Sequence, residues 1–323
     1  MTSIAPEVLR QYQAARESAA AVDLSGRGVL AVTGPNRQKF LHNMLSNDVQ
    51  SRRAGEGCLA ALMDVKGHLV ALMRVLVAED VVLLELPSDR LRVVEAAFVH
   101  YRVGAPVRFA ERPTRVLGLL GPQASARLAA LGLEPPAEGA ESHALRSWGG
   151  GEARLVRAGD LPGPGFVLQA APEAAPAILE ALLSAGVPLA GREALDALRV
   201  EAGRPWYGPD VTDANLLHET GLLAQYHSAT KGCYVGQEVV ARLEARGGNV
   251  NKRLRGLRLS SPAEAGAAVL ADGREVGRIT TAAVSPRLGP VALAYVHRDH
   301  AEPGSPVEVG GAPASVEALP FGA

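Results

Sequence analysis

The alternation of apolar and polar positions along the first third of the chain predicts a layer of mixed α and β structure. Val8, Tyr12 and Ala15 recur at helical spacing, which predicts an amphipathic helix over residues 4–21. Short apolar runs bounded by Gly, Asn, Asp and Pro are typical of strands. Strands are predicted at 28–32, 57–64, 69–78 and 81–86, and further helices at 37–44 and 88–98.

The middle of the chain predicts a smaller α+β module over residues 113–190. Helices are expected at 123–131 and 174–185, and strands at 153–157 and 165–168. The segment 132–151 is rich in Pro, Gly and Glu and is predicted to be an exposed loop. This order of elements indicates a ferredoxin-like module that serves as scaffold.

The last 70 or so residues show short alternating runs that are split by Gly and Pro. Ala271-Asp272-Gly273-Arg274 is a hairpin turn signal between two of these runs. Several short strands at this spacing favour a small C-terminal β-barrel.

Composition narrows the class of protein further. A chain of 323 residues with 47% hydrophobic and 21% charged residues is expected to form two or three globular domains. The formal net charge of −1 gives no overall attraction for nucleic acid or for an anionic membrane surface. No signal peptide or membrane helix is expected, so the predicted location is the cytoplasm.

The two cysteines, Cys58 and Cys233, are far apart in sequence and form no CxxC pair. This usage fits a reducing compartment and argues against a self-sufficient zinc or cluster site, so no metal ligands are predicted. A bridge between the two thiols stays open at this point.

The densest group of special residues is the stretch Lys231-Gly232-Cys233-Tyr234-Val235-Gly236-Gln237-Glu238. Glycines suit a tight turn or a close approach of the backbone to a ligand. A cation such as Lys231 near a thiol favours the thiolate, which is the reactive form of cysteine. The alternative is a loop that enters a helix, with Cys233 as a small buried hydrophobic residue.

This stretch resembles the signature of the YgfZ family, the folate-binding relatives of the glycine-cleavage T-protein (GcvT) that support iron–sulfur enzymes. The resemblance implies a tetrahydrofolate cofactor, a functional thiol at Cys233 beside Lys231, and cofactor contacts from Gly236, Gln237 and Glu238. Cys233 would then act as a transient ligand, a nucleophile or a redox sensor, and the sequence does not rank these three.

The first third of the chain resembles the folate domain of the T-protein family. The resemblance places Asn47 and Asp48, and then Asp64 and Lys66 with Gly67, at the folate site. The alternative is plain turn chemistry, because Asn, Asp and Gly are common turn residues.

A further match is Leu-Arg-Val-Glu-Ala-Gly over residues 198–203, followed by Tyr-Gly-Pro-Asp over 207–210. The resemblance implies that Glu201 binds the pterin ring and that Tyr207 also lies in the cofactor site. A carboxylate suits this role because it can accept two N–H bonds from an aminopyrimidine edge. Gly203 is expected to end the preceding helix as its C′ residue.

The chain departs from the T-protein pattern after its Lys66-Gly67 turn. The T-protein family carries a carboxylate there to position and activate the folate nitrogen, whereas this chain has Ala71 and Leu72. Neither side chain can exchange a proton, so aminomethyl transfer by the T-protein route is not expected.

The predicted fold is therefore α+β, a GcvT-like folate-binding fold with a ferredoxin-like middle module and a small C-terminal β-barrel. The predicted domains are residues 1–112 with 191–250, 113–190, and 251–323. The predicted function is that of a tetrahydrofolate-binding accessory protein for iron–sulfur client enzymes, including those that methylthiolate tRNA, and the alternative is a folate-dependent aminomethyltransferase. Direct tRNA binding through the basic run at 242–258 is a further, minor alternative, because the run lacks aromatic residues for base stacking.

Overall fold

The computed structural model describes residues 4–322, which form eight α-helices and three β-sheets. None of the helices in this range is long and apolar enough to cross a membrane. The helices are α1 (Pro6–Glu17), α2 (Arg37–Met44), α3 (Leu91–Tyr101), α4 (Ala124–Ala130), α5 (Ala175–Ser184), α6 (Arg192–Glu201), α7 (Leu223–Tyr226) and α8 (Gln237–Ala245).

The first sheet is antiparallel and has five strands in the order β3-β4-β5-β2-β6. Its central strands are long apolar runs because the sheet is covered on both faces. One face packs on α2 and α3. Phe40 of α2, Phe98 of α3 and Phe109 of the sheet meet there, and each pair of ring centroids is 5.6 Å apart. The strands are β2 (Arg27–Thr33), β3 (Gly57–Met63), β4 (Leu69–Val77), β5 (Val81–Pro87) and β6 (Arg108–Arg112).

The second sheet has six strands in the order β11-β1-β7-β10-β9-β8. Helices α4 and α5 cover one face, and the other face packs on the first sheet together with α1 and α6. The strands are β1 (Ala20–Asp23), β7 (Arg115–Leu120), β8 (His143–Trp148), β9 (Gly151–Arg157), β10 (Gly165–Ala170) and β11 (Leu189–Ala190).

The C-terminal segment forms a closed six-stranded barrel in the order β12-β15-β14-β13-β16-β17. Helix α6 lies against it, and Val200 joins an apolar cluster with Leu254 and Phe321. The strands are β12 (Lys252–Leu259), β13 (Ala268–Ala271), β14 (Arg274–Ser285), β15 (Gly289–His297), β16 (Pro306–Val309) and β17 (Ala312–Glu317).

The predicted fold class is confirmed, and most predicted elements are present within a few residues of their predicted bounds. Gly203 follows α6 with φ 61°, as expected of a C′ glycine. Two predictions were wrong. The first helix ends at Glu17 because Ala20–Asp23 pairs with β7 and β11, and the predicted loop at 132–151 contains the strand His143–Trp148.

The middle module departs from a simple ferredoxin-like unit in two ways. Its order of strand, helix, three strands, helix and strand has one strand more than the β-α-β-β-α-β pattern. In addition, β1 of the N-terminal segment lies between β11 and β7 in its sheet. The domain boundaries at residues 112, 190 and 250 stay predictions.

Candidate functional site

A pocket of about 300 Å³, called the central pocket below, lies where the first sheet meets the loop after α6 and helix α7. Its walls include the apolar Leu72, Met73 and Leu222 and the aromatic Trp206, Tyr207 and Tyr226. Mixed apolar and aromatic walls with a few charged groups are typical of a small-molecule site.

The floor of the central pocket is a network of buried charges. Arg74, whose side chain is fully buried, donates hydrogen bonds to Glu85, Asp160 and Glu141, the last at 2.5 Å. Arg27 bridges two of the same carboxylates, at 2.6 Å to Glu85 and 2.8 Å to Asp160. Three carboxylates therefore face two guanidinium groups, and the network has one acidic group in excess.

The pKa shifts in this network follow from burial and from the two arginines. Burial alone would raise the pKa of Asp160, but Arg74 and Arg27 outweigh it and hold that pKa below its ordinary value. Burial raises the pKa of Glu141 despite the opposing charge of Arg74. Of Glu141 and Asp160, Glu141 is therefore the more readily protonated, and Asp160 stays ionised.

The loop after α6 is held in place by a buried clamp between Arg199 and Asp210. Arg199 donates to Asp210, and Asp210 in turn accepts the backbone N–H of Trp206 at 2.9 Å. The guanidinium of Arg199 also lies 5.2 Å from the centre of the Trp206 ring, and its Nη2 donates to Thr281 of β14 at 2.7 Å. The arginine and aspartate of the Leu-Arg-Val-Glu-Ala-Gly and Tyr-Gly-Pro-Asp motifs therefore position the aromatic wall of the pocket.

Tyr207, a predicted cofactor residue, does line the central pocket. Its hydroxyl accepts a hydrogen bond from Arg90 Nε at 3.1 Å and donates to the carbonyl of Leu69 at 3.3 Å. The guanidinium of Arg90 lies 4.9 Å from the ring centre. Burial raises the pKa of Tyr207, so the phenol is neutral. The two hydrogen bonds of its hydroxyl fix the orientation of the ring.

Glu201, the predicted pterin contact, does not line the central pocket. Its carboxylate is buried and accepts hydrogen bonds from Tyr12 at 2.8 Å and Ser285 at 2.5 Å. Arg16 and Arg287 donate to its other oxygen at 3.4 and 3.2 Å. These contacts join α6 to α1 and to the barrel. Each oxygen of Glu201 already accepts at least two hydrogen bonds from protein donors, so its contacts in this structure are structural, and its folate role stays a prediction.

Asn47 and Asp48 make local contacts outside the central pocket. The Asn47 side chain donates to the carbonyl of Leu59 at 2.8 Å and to that of Gln225 at 3.3 Å. Asp48 accepts from the hydroxyl of Ser51 at 2.6 Å. Asn47 thus holds β3 against α7, which carries part of the pocket wall, and Asp48 stabilises a turn.

The two glycine-containing motifs of the sequence meet in the structure. Asp64 accepts the backbone N–H groups of Lys66 and His68 at 2.8 and 2.9 Å, which shapes the turn between β3 and β4, and Lys66 itself is exposed. A Cβ on Gly236 would lie 2.7 Å from the carbonyl oxygen of Asp64. Gly236 has φ 82°, so both its conformation and this contact require glycine.

Lys231 anchors the loop formed by residues 231–236, which we call the Cys233 loop. Its ammonium group donates to the carbonyls of His42 and Leu45 at the C-terminal end of α2, where a cation is favourable. Burial lowers the pKa of Lys231 to about 8. The contacts of Lys231 are thus those of a helix cap, and its predicted catalytic role stays a prediction.

The two thiols are free and differ in exposure. Cys233 is exposed, whereas Cys58 is buried in β3 and burial raises its pKa to about 12. A buried thiol of this kind is unreactive. Cys233 is therefore the accessible thiol of the two, and it is not the buried residue of the alternative interpretation.

Gln237 and Glu238 begin α8 and lie outside the central pocket. Glu238 forms an exposed ion pair with Arg242 at 2.6 Å. Of the predicted site residues, only Tyr207 lines that pocket, and most of the others surround the Cys233 loop. Within residues 4–322, no group of three or more His, Cys, Asp or Glu side chains is placed to hold a metal ion.

A short chain of contacts connects the Cys233 loop to the central pocket. Lys231 binds the carbonyl of Leu45, and the next residue, Ser46, donates its hydroxyl to the carbonyl of Tyr226 at 2.5 Å. Tyr226 is part of the pocket wall. The loop and the pocket therefore lie on two sides of the same buried segment.

Sequence reasoning missed the charged floor of the central pocket. Arg74 and Glu85 are single charged residues inside otherwise apolar strands, Leu-Val-Ala-Leu-Met-Arg-Val-Leu-Val and Val-Val-Leu-Leu-Glu-Leu-Pro. A lone charge in a fully buried strand must be paired, so this pattern was a usable signal. Asp160 lies in a turn and carried no comparable signal.

Comparison with known proteins now identifies the family. Residues 2–226 match the GCVT N-terminal domain, and residues 252–321 match the glycine cleavage T-protein C-terminal barrel domain. The chain therefore belongs to the glycine cleavage T-protein family. These matches and the closed barrel confirm the GcvT-like fold, while YgfZ membership in particular stays a proposal.

Two relatives and one solved structure give the extent of the similarity. An aminomethyltransferase of Thermus thermophilus is 32% identical over 97% of this chain and 90% of its own length. An aminomethyltransferase of Nostoc sp. is 29% identical over 94% of this chain and 83% of its own. The crystal structure of the glycine cleavage system aminomethyltransferase T from Bartonella henselae superposes with a TM-score of 0.88 at 24% identity, covering 97% of this chain and 89% of that one, which shows the shared fold.

Proposed function

We propose that this protein binds a tetrahydrofolate in the central pocket and acts as a YgfZ-type accessory protein for iron–sulfur enzymes. Members of its family use tetrahydrofolate as a one-carbon carrier, and the residues of the pocket fit such a ligand. Asp160 accepts one side-chain hydrogen bond on each carboxylate oxygen, so it keeps acceptor capacity for the N–H donors of an aminopyrimidine edge. Trp206, Tyr207 and Tyr226 supply aromatic walls for a flat bicyclic ring.

The size and rim of the pocket support the same assignment. A volume of about 300 Å³ is at the lower end of the range for ligand pockets, about 300–1,000 Å³. It suits the ring system and leaves the tail of the folate at the mouth. Arg192, which is exposed, and Arg204, which is half-buried, also line the pocket and would bind the carboxylates of that tail.

The observation that carries the accessory role is Leu72. It lies in the wall of the central pocket, 6% exposed, where the T-protein pattern has a carboxylate. Ala71 before it is fully buried in the core of the first sheet. General acid–base catalysis requires a titratable group within hydrogen-bond reach of the reacting nitrogen, and neither residue supplies one.

The exposed thiol of Cys233 is the second element of the proposal. It lies on a loop fixed by Lys231 and by the tight contact of Gly236, and it is connected to the pocket wall through Ser46 and Tyr226. In this account the folate occupies the pocket while Cys233 faces the client enzyme. tRNA would be involved through client enzymes that methylthiolate it.

The alternative is a folate-dependent aminomethyltransferase, and the relatives favour it. Both the Thermus thermophilus and Nostoc sp. proteins carry that name, and the matches span nearly the whole chain. The pocket also holds an ionised carboxylate, Asp160, which would have to replace the missing one. The two functions share the ligand and differ in turnover.

One experiment separates them. Tetrahydrofolate binding is measured by calorimetry, and transfer from an aminomethyl donor is then assayed at saturating folate, for the wild type and for Leu72→Asp. Binding without turnover by the wild type supports the accessory role. Turnover by the wild type establishes the aminomethyltransferase, and absence of binding rejects both.

A further inference from the structure

A second pocket, of about 480 Å³, lies between the edge of the first sheet at β6 and the outer strands of the second sheet. It is separate from the central pocket and shares none of its lining residues. Arg112 and Thr114 line it from the first sheet and the segment that follows, and Arg154 and Gln169 line it from the second. The folate site proposed above makes no use of this pocket.

Arg154 is the central residue of this second pocket. It lies opposite Gln169 of β10 and Leu145 of β8, so the three side chains project from one face of the sheet. Arg154 is only 9% exposed, and its Nη1 lies 2.8 Å from Nδ1 of His143. Among residues 4–322, no carboxylate lies within salt-bridge distance of its guanidinium.

The other buried arginines of the described chain are paired in the ordinary way. Arg74 binds three carboxylates and Arg199 binds two. A buried charge without an opposite charge is costly, which explains the pairing of these two. Arg154 departs from this rule, and its open side faces a pocket.

His143 does not neutralise Arg154. The guanidinium can only donate, so Nδ1 of His143 must accept and the ring must be neutral. Burial and the nearby Arg154 lower the pKa of His143 to about 4, which agrees with a neutral ring at physiological pH. The nearest partner of Arg154 is therefore uncharged.

A second cation makes the positive charge at this pocket larger. Burial and the repulsion of Arg112 lower the pKa of Arg154, although a guanidinium remains charged at any physiological pH. Two carboxylates, Glu152 and Glu173, also line the pocket, but both are exposed and neither bonds to Arg154. Solvent screens such exposed charges, whereas the charge of Arg154 is shielded from solvent.

We propose that this second pocket binds a small oxyanion, a phosphate or a carboxylate group, with Arg154 at its floor and Arg112 at its rim. A guanidinium presents a fork of donors that matches two oxygens of such an anion. The hydroxyl of Thr114 supplies one more donor at the wall. We refer to this site as the oxyanion pocket.

The test uses the full-length chain and two probes, inorganic phosphate and glutarate, titrated by calorimetry at constant ionic strength set with chloride. The variants are Arg154→Gln and Arg112→Gln, and the control is Arg10→Gln, an exposed arginine of α1 that pairs with Glu7. Thermal melts report folding of each variant. If Arg154→Gln does not fold, Arg112→Gln still tests whether the arginines of the pocket bind the anion.

We expect one of the two probes to bind the wild type and the control equally, and to bind Arg154→Gln at least about tenfold more weakly. Arg112→Gln should show a smaller loss, because this side chain is exposed. Preference for phosphate or for glutarate identifies the class of oxyanion. Equal binding by all four proteins, or no binding of either probe by the folded wild type, would overturn the proposal.

Discussion

Gln169 Nε2 donates a hydrogen bond of 2.6 Å to Oε2 of Glu85, and this contact separates the two pockets of the protein. Glu85 belongs to the floor of the central pocket, and Gln169 lines the oxyanion pocket. Both side chains are buried. The side-chain amide of Gln169 therefore completes the charged network at the floor of the central pocket, and it also forms part of the wall of the oxyanion pocket.

Replacing Gln169 with Leu should destabilise the protein by about 1.5–3 kcal/mol, the range for a hydrogen bond to a charged group. The loss arises because Glu85 would keep its two arginine donors but lose its third donor. Urea unfolding measures the change. Gln50→Leu is the control, since Gln50 is exposed, and an equal effect of both changes would show that the Gln169–Glu85 bond contributes nothing specific.

Glu201→Gln should reduce stability without changing the affinity for folate. A neutral amide can no longer pair with Arg16 and Arg287, and its NH₂ group would face donors rather than acceptors. We expect a loss of about 1–3 kcal/mol in urea unfolding and an unchanged dissociation constant for tetrahydrofolate. A folate affinity that falls while stability stays constant would establish Glu201 as a ligand contact.

Cys233 should be the thiol that reacts. Iodoacetamide at pH 8 is expected to label Cys233, which is exposed, and to spare Cys58, whose pKa burial raises to about 12. Peptide mass spectrometry before and after unfolding measures both sites. Labelling of Cys58 in the folded protein at a rate similar to that of Cys233 would contradict the structure.

The role of Cys233 requires a measurement in cells. Cys233→Ala should fold and bind folate normally but fail to restore iron–sulfur enzyme activity in a strain that lacks the protein. Cys58→Ala is the matched control. Full restoration by Cys233→Ala would remove the thiol from the proposed function.

His143 should make stability depend on pH in the acidic range. Its pKa is about 4 in the folded chain and about 6.5 when unfolded, so the unfolded chain binds the extra proton between these values. The contribution of His143 to the free energy of unfolding is thus fully present above pH 6.5 and is lost as the pH falls towards 4. The loss is at most about 3 kcal/mol.

A comparison of variants isolates this contribution. His143→Asn keeps an acceptor for Arg154 and should flatten the stability profile between pH 6.5 and 4, whereas the exposed His100→Asn should follow the wild type. Urea unfolding at a series of pH values measures both. Parallel profiles for the wild type and His143→Asn would show that His143 does not titrate with a lowered pKa.

Local sequence signals predicted the fold well because they arise from apolar periodicity. Helix 37–44 and the hairpin after residue 57 follow directly from that pattern. The strand His143–Trp148 was missed because Pro and Gly before it suggested a loop, although pairing with β9 stabilises it. Tertiary pairing of this kind is not encoded in a short window.

The candidate site was harder to predict for a different physical reason. Glu201 and Lys231 both belong to informative motifs. In the structure, Glu201 joins α6 to α1 and to the barrel. Lys231 caps the C-terminal end of α2. A motif shows that a residue matters and does not show which neighbour it contacts. The pocket floor depends on Arg74, Glu85 and Asp160, which come from three distant segments.

A glycine in the central pocket gives the most direct test of whether tetrahydrofolate binds there. Gly26 lines the pocket, has an ordinary φ, and a Cβ added there would meet nothing within 4 Å. Gly26→Phe should therefore fill the pocket and leave the fold intact. Gly232→Phe is the matched control, since Gly232 is equally open but lies on the Cys233 loop.

Calorimetric titration with tetrahydrofolate compares the two variants with the wild type, and thermal melts check folding. We expect Gly232→Phe to bind like the wild type and Gly26→Phe, with an unchanged melting temperature, to bind at least about tenfold more weakly. Wild-type affinity in Gly26→Phe, or a loss confined to Gly232→Phe, would show that tetrahydrofolate does not bind in the central pocket.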